Sequence, residues 1–555
     1  MKPIDWVVAA DPRAPEDVEE LAAVCSGAEV GRALAAMASH PASTVRAAVG
    51  YIVVTAVECA DAEVQSCGGQ FDDQGWLEGL VVGAPEGSRE LYALLDDPSA
   101  EVRAAALMAF AALLEARAQP WMRRFLDAWT VDDVTPLWSA VGDAAPSVRV
   151  AALAAVRHLP REVDAPLRER LDDPDAAVRE AAVPAAVAHW GRGVEERLAA
   201  LASDPGERAG EAAAQALVDL DSPRAAGALA ARLRGGSPTE GVLTWLAEAP
   251  SCAVEPAEIA AFLAPARPRE LRIAAARALT RWGGRGCEEA LVSAVRLGDH
   301  AAIYAAIALA RRPTPGSESA LAAATRDPLP ALERYSQSAV MMLRDAAARA
   351  LGTLGTAEAR ARLLDAPVST KGKGSPRGPH AKVLAQSLGF LASADVALQI
   401  DRLIDADIYA ARVGAVALGL SGAAKHAPRL RKWLAHRDER LRTHAALGLA
   451  LLPVALPREA ARALASPAKP VAATYETEAL AVAAGMRRLA ERGHRDRAVL
   501  TAALAWCRAH RLEVDAMVAC FRRRGRASGY GMAYVWMIDD WLREATAGLE
   551  ARVGA

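Results

Sequence analysis

The residues able to do chemistry are few and scattered. Ten His are spread over 555 residues. His436 and His444 lie close in sequence, but no third ligand stands near them, so the pattern gives no metal site. No H-E-x-x-H, G-x-S-x-G or G-x-G-x-x-G motif stands in a convincing setting. Gly283-Gly284-Arg285-Gly286 reads as a turn that ends a helix. The acid pairs Asp72-Asp73, Asp96-Asp97 and Asp539-Asp540 read as carboxylates at helix ends, where they favour capping. The seven Cys (25, 59, 67, 252, 287, 507 and 520) are odd in number and form no C-x-x-C. In so long a chain this predicts reduced thiols and a cytoplasmic setting rather than a disulfide framework. The expectation is a chain with no catalytic residue, no metal and no cofactor.

What the sequence offers instead is chemistry for binding. Arg522, Arg523 and Arg524 form a basic run continued at Arg526, and Arg431, Lys432 and Arg440 form a second group. Residues 367–380 have no apolar periodicity, are rich in Gly, Pro and Ser, and carry Lys371, Lys373 and Arg377. They read as a flexible basic loop between ordered segments, and the phosphate-binding G-x-x-x-x-G-K-[ST] pattern is absent. Trp121, Phe125 and Trp129 recur at a spacing of four, which puts them on one helix face. Charge is unevenly distributed. Residues 1–100 carry 17 Asp/Glu against 5 Lys/Arg, a balance of −12, whereas residues 485–530 carry 11 Arg against 4 Asp/Glu, a balance of +7. The whole chain is only −3, which is no polycation.

The elements that position these residues follow from composition and repetition. Hydrophobic residues make up 52% of the chain but aromatics only 5%. Helices this rich in Ala bury little area each, so many small repeated interfaces fit better than one large core. One phrase returns: a turn with a breaker, then Val-Arg, then an Ala-rich run. It reads Asp97-Pro98 to Val102-Arg103-Ala104, Pro146 to Val148-Arg149, and Asp173-Pro174 to Val178-Arg179-Glu180. Looser copies surround Leu271-Arg272 and Leu441-Arg442. The Arg position marks a register at 46, 103, 149, 179, 210, 241, 272, 304, 344, 382, 412, 442 and 478, with five successive gaps of 30 to 32 residues from 149 to 304. That period accommodates two short helices and two turns. Pro stops the first helix, and Ser99 or Asp175 is placed to cap the second. Val102, Ala105, Ala106, Ala109 and Leu113 then form one buried stripe. Gly352, Gly419 and Pro160 are expected to close such helices.

The phrase D-P-x-x-x-V-R-x-A-A-A resembles the HEAT repeat, in its shorter bacterial form related to the phycobilisome-lyase repeats. The clearest copies cover about residues 85–210 and 395–455, with degenerate copies over most of the rest. The resemblance implies an all-α, right-handed solenoid of about thirteen HEAT-like helix pairs, with second helices lining a concave face. It also implies that the recurring Arg bonds to Asp in neighbouring turns, here Asp97, Asp143, Asp173 and Asp204, against the alternative of an Arg track gripping phosphate. HEAT-type deoxyhypusine hydroxylases carry His-Glu dipeptides, and none occurs here. DNA-glycosylase relatives hold DNA in a basic groove. Trp245, Trp282, Tyr304 and Tyr335 with Arg272, Arg311 and Arg312 would be its counterpart, but the acidic N-terminal third cannot continue such a groove.

The expected organisation is an acidic helical cap at 1–84, repeats at 85–366, the loop at 367–380, repeats at 381–485 and a basic helical cap at 486–555. In the last, the Tyr534/Met537/Ile538/Trp541 face is expected to cover the final repeat. No apolar leader follows Met1 and no uncharged run of ~18 apolar residues occurs, so neither a signal peptide nor a membrane span is expected. The function expected is a cytoplasmic protein-protein scaffold or adaptor that binds another protein or a peptide segment. Nucleic-acid binding through the basic C-terminal half is the alternative. The partner-binding candidates are Arg431, Lys432, Arg440, Arg522, Arg523, Arg524, Trp121, Phe125, Trp129, Lys371, Lys373 and Arg377.

Overall fold

The computed structural model describes residues 34–66, 91–119, 131, 133–160, 165–203, 208–235, 239–326, 329–334, 336–368, 379–391, 393, 396–404, 408–465, 476–523 and 530–554. Every regular element among them is helical, and none is long and apolar enough to cross a membrane. The chain is an all-helical solenoid built from HEAT-like pairs. Two compact units divide it, Met1–Ser237 and Pro238–Ala555.

In the first unit the long second helices are α1 (Ser43–Ser66), α2 (Ala100–Ala118), α3 (Pro146–Val156), α4 (Ala176–Trp190) and α5 (Arg208–Asp219), each packed on the next. The expected stripe on α2 is buried throughout, with Val102, Ala106 and Ala109 at 0% exposure. Ala lets these helices approach closely. At Gly50 an added Cβ would lie 2.2 Å from Ala105 O of α2. Asp175 caps α4, accepting from the Ala177 and Val178 amides. Ser99 stands at the N-cap of α2 but its side chain makes no capping bond. Asp97 accepts from the Ser99 amide instead.

In the second unit the row runs α6 (Glu240–Glu248), α7 (Arg269–Trp282), α8 (His300–Arg311), α9 (Gln337–Leu354), α10 (Ala381–Phe390), α11 (Ile408–Ser421) and α12 (Glu439–Leu451), again packed serially. Shorter first helices such as Glu288–Leu297 and Ala427–Trp433 pack on the second helix that follows them. Gly352 and Gly419 do not close helices, contrary to expectation. They lie inside α9 and α11, where a Cβ would come within 2.5 Å of Ser387 O and of the Gly448 backbone. The true stop of α9 is Gly355 at φ +72°, which satisfies the backbone where an L side chain would be strained.

Three further helices follow: α13 (Glu476–Arg492), α14 (Arg497–Arg523) and α15 (Tyr530–Gly554). Helix α13 lies across α10, α11 and α12, and α15 packs on α13, α14, α7 and α8. These helices therefore reach back along the second-helix row rather than only extending it.

Candidate partner-binding surfaces

The recurring Arg does the same task at each rung. Arg103 donates from Nη1 to the carbonyls of Asp97 and Pro98, which clamps the turn five and six residues behind it. From Nε and Nη2 it donates to Asp143 of the next pair, at 2.9 Å each. Arg46 repeats this with His40, Pro41 and Asp97. Arg149 repeats it with Asp143 O, Ala144 O and the Asp173 carboxylate. Asp97, Asp143 and Asp173 also accept from the backbone amides of Ser99, Ala145 and Asp175, so each carboxylate ties a cation below it to the turn that starts the next helix. The hydrogen bond from Arg46 holds the Asp97 carboxyl below its ordinary range. For Asp143 and Asp173 burial opposes ionisation, but the Arg103 and Arg149 guanidiniums outweigh it and their carboxyls are also held low. Arg272 with Asp299 and Arg412 with Asp438 continue the pattern in the second unit. The expected ladder is thus present at three of its four named acids, while Asp204 lies outside the described residues. These arginines are occupied within the protein, which removes them from a phosphate track.

A second set of cations caps helix ends, a role the sequence did not suggest, although Arg311 stood among the groove candidates. Arg281 donates to Ala247 O at the end of α6, and Arg311 donates to Thr280 O and Arg281 O at the end of α7. Arg552 donates to Ala490 O and Glu491 O at the end of α13. The last carbonyls of a helix have no intrahelical donor and carry its negative dipole end, so a guanidinium there satisfies both. The spacing of Arg281 and Arg311, one repeat apart, was the available signal.

Two of these arginines, Arg281 and Arg311, meet α15, as does Arg349. Arg311 donates to Asp540 at 2.6 Å. Arg349, only 1% exposed, lies 4.3 Å from the Tyr534 ring and donates to Gln386 Oε1 and Thr477 Oγ1. Arg281 lies 5.5 Å from the Trp536 ring, and Phe390 meets Trp541 edge to face at 5.3 Å. Tyr534, Trp536, Met537, Ile538 and Trp541 are all buried. The helix packs mainly on α13 and α14, and Tyr534, Trp536 and Trp541 reach back from it to α9, α7 and α10, so the face does more than cover the final repeat, the task expected of it. The physical reason is that buried guanidiniums need partners, and α15 supplies a carboxylate and aromatic faces. Asp539 and Asp540 accordingly stand in mid-helix rather than at a helix end. An open cleft of about 460 Å³ remains beside this contact, between Arg311, Phe390, Arg487, Arg488, Asp540 and Trp541.

A buried charged group anchors α13. Glu478 is 3% exposed and stands 3.7 Å from Arg412, 3.9 Å from Arg440 and 3.6 Å from His444. Burial pushes the Glu478 carboxyl up and the His444 imidazole down to about 3. His510, facing Trp506 at 5.4 Å, is lowered by burial to about 4, and burial raises the Cys507 thiol to about 12. His436 is not part of this group, since its Nδ1 accepts from the Asp438 amide. Among the described residues no group of three or more His, Cys, Asp and Glu is placed to hold a metal ion.

The predicted contact residues separate accordingly. Arg431 and Lys432 are exposed on the first helix Ala427–Trp433. Arg440 faces the buried Glu478. Arg522 and Arg523 stand in the last turn of α14. Arg524, Trp121, Phe125, Trp129, Lys371, Lys373, Arg377 and Tyr335 lie outside the described residues. The glycosylase-like set is not assembled as a basic track: the Trp282 indole donates to Leu246 O, Tyr304 is buried, and Arg272 and Arg311 are paired with Asp299 and Asp540.

A HEAT repeat family model matches residues 89–116. That segment holds Asp97, Arg103 and most of α2, the most regular rung of the ladder. Yeast importin-beta (Kap95p) has a similar structure at 14% identity and a TM-score of 0.38, covering 99% of this chain and 77% of that one. An importin beta structure is similar at 12% identity and a TM-score of 0.38, over 94% of this chain and 93% of that one. A Kap95:Nup1 complex is similar at 13% identity and a TM-score of 0.35, over 94% and 73%. Likeness at this level says nothing of role. No curated protein matches the sequence.

Proposed function

We propose that this chain is a non-catalytic protein-protein scaffold that binds a segment of another protein. The observation that carries this reading is α15 itself. The second-helix face of unit 2 already holds a polypeptide helix, through an ion pair to Asp540 and Arg–aromatic contacts to Tyr534 and Trp536. Its cations meet protein groups, whereas a nucleic-acid groove keeps its cations for phosphate. The family match adds a repeat scaffold that hosts many binding functions. The buried thiols Cys287 and Cys507 are free, which suits a reducing compartment such as the cytoplasm. Arg431 and Lys432, exposed on a first helix, are the contacts proposed outside the row.

The test is affinity capture of the tagged full chain followed by cross-linking, in parallel with the Arg431→Glu/Lys432→Glu variant. The reading expects a stoichiometric protein partner cross-linked to Lys432 and depleted by the double variant, whose stability shifts by no more than about 0.5 kcal/mol. Recovery of nucleic acid alone, with retention that falls steeply as salt rises, would overturn it.

A further inference from the structure

Helix α15 is two helices in its contacts. Its C-terminal half belongs to the helical bundle with α13. Ala545 and Leu549 are fully buried, a Cβ on Gly548 would stand 3.0 Å from Ala490 Cβ, and Arg552 caps α13. Its N-terminal half also meets the repeats, while Trp541 and Asp539 face Arg487 of α13 and Arg511 of α14. Trp536 and Asp540, one turn apart, meet Arg281 and Arg311, which themselves stand on successive second helices. Tyr534 and Trp541 meet Arg349 and Phe390 on the next two. The side of the row that receives this half is cationic, and the half it receives is aromatic and acidic. The junction is not closed like the stacked core: the Asp540 side chain keeps 40% of its exposure and the open cleft lies alongside it.

We propose that the face of α7 to α10 is a receptor for an amphipathic helix that carries an aromatic residue and a carboxylate four positions apart, that the first half of α15 is its resident ligand, and that a partner protein enters by offering such a helix in its place. The inference rests on the scaffold reading and names its partner class. The row supplies a guanidinium from each of α7, α8 and α9 and an aromatic ring from α10, so it reads a helix laid across successive repeats. Charge selects the occupant: Arg311 favours acid at the 540 position and disfavours Lys or Arg there. Occupancy by α15 lowers the apparent affinity for any competitor by the fraction of chains in which the face is open.

The probe is a fluorescein-labelled peptide of residues 530–554, titrated by anisotropy into the full chain. Wild type is expected to bind it weakly, and the Asp540→Lys chain roughly tenfold more tightly, because its own helix competes less well. The Arg311→Glu chain is expected to reverse the preference, binding the Asp540→Lys peptide better than the wild-type peptide. Equal affinities across these chains and peptides would overturn the proposal. Should a variant fail to fold, the wild-type chain still decides the matter with a photo-cross-linking residue at position 536 of the peptide. Cross-links within residues 269–311 support the proposal. Cross-links elsewhere, or a dimer in which two copies exchange α15, would overturn it. Peptide binding of the expected pattern without any cellular protein captured by the chain would leave this face as a helix receptor and remove only the scaffold reading.

Discussion

The two units solve the same stacking problem differently. Unit 1 uses charged rungs: Arg46–Asp97, Arg103–Asp143 and Arg149–Asp173 follow one another, each Arg also clamping its own turn. The register position holds Gly210 as well as Arg in unit 1, and Gly241, Tyr304, Lys382 and Glu478 as well as Arg in unit 2. There the helices approach through glycine, Gly352 on Ser387, Gly389 on Ala417 and Gly419 on Gly448, and α13 and α15 brace the row from one side. Close glycine approach is not confined to unit 2, since Gly50 of α1 admits Ala105 of α2 as tightly. Rungs persist in unit 2 at Arg272–Asp299 and Arg412–Asp438, on helices that α15 and α13 also cover, so the added helices, rather than lost rungs, set that unit apart.

The largest expected effect breaks a rung. Asp173 is fully buried in its side chain and joins Arg149 and Arg170. Asp173→Ala strands Arg149 and is expected to cost about 3–5 kcal/mol in urea unfolding. A loss below about 1 kcal/mol would mean that the rungs do not hold unit 1 together.

Next is the glycine contact of unit 2. Gly419→Val puts side-chain atoms where Gly448 backbone already stands 2.5 Å from an ideal Cβ. The expected cost is about 1–3 kcal/mol, with a raised unfolding rate in stopped-flow measurements. A neutral result would mean that α11 and α12 are free to part.

The smallest effect is a difference in acid response. His444 and His510 have folded values of about 3 and 4, below the ordinary 6.5. Their contribution to stability is complete above pH 6.5 and is lost as pH falls toward about 4, because the unfolded chain takes up the protons. Glu478 works in the opposite direction, since its raised value makes protonation favour the fold. The acids Asp97, Asp143 and Asp173 are held below 3.8, so their contribution persists until the pH falls below that value. Urea unfolding at pH 7 and pH 5 is expected to show a stability loss that shrinks in His444→Gln. An unchanged loss would place the titrating group elsewhere.

Much of the fold was legible because the repeat is local. The Val-Arg phrase, the Ala stripe of α2 and the ladder acids lie within a few tens of residues of one another, and the HEAT resemblance carried their roles. Gly352 and Gly419 were misread because a glycine that ends a helix and one that admits a neighbouring helix look alike in a single sequence. The site was less legible. Arg311 and Asp540 are joined across 229 positions, and no periodicity links them. Tyr534, Met537, Ile538 and Trp541 were recognised as a buried face, but the surface that buries them was not. Trp536 was passed over because it stands off that stripe, and Arg281 and Arg349 because nothing local marks an arginine that caps a neighbouring helix or lies under a ring.

Amide hydrogen exchange on the intact chain tests the central claim, that unit 2 holds its own helix on the second-helix row through a contact weaker than the stack. The account predicts that residues 530–541 exchange through an opening that leaves α8, α9 and residues 545–552 protected. Protection of 530–541 equal to that of α8 would show the helix to be an inseparable part of the core and would contradict it.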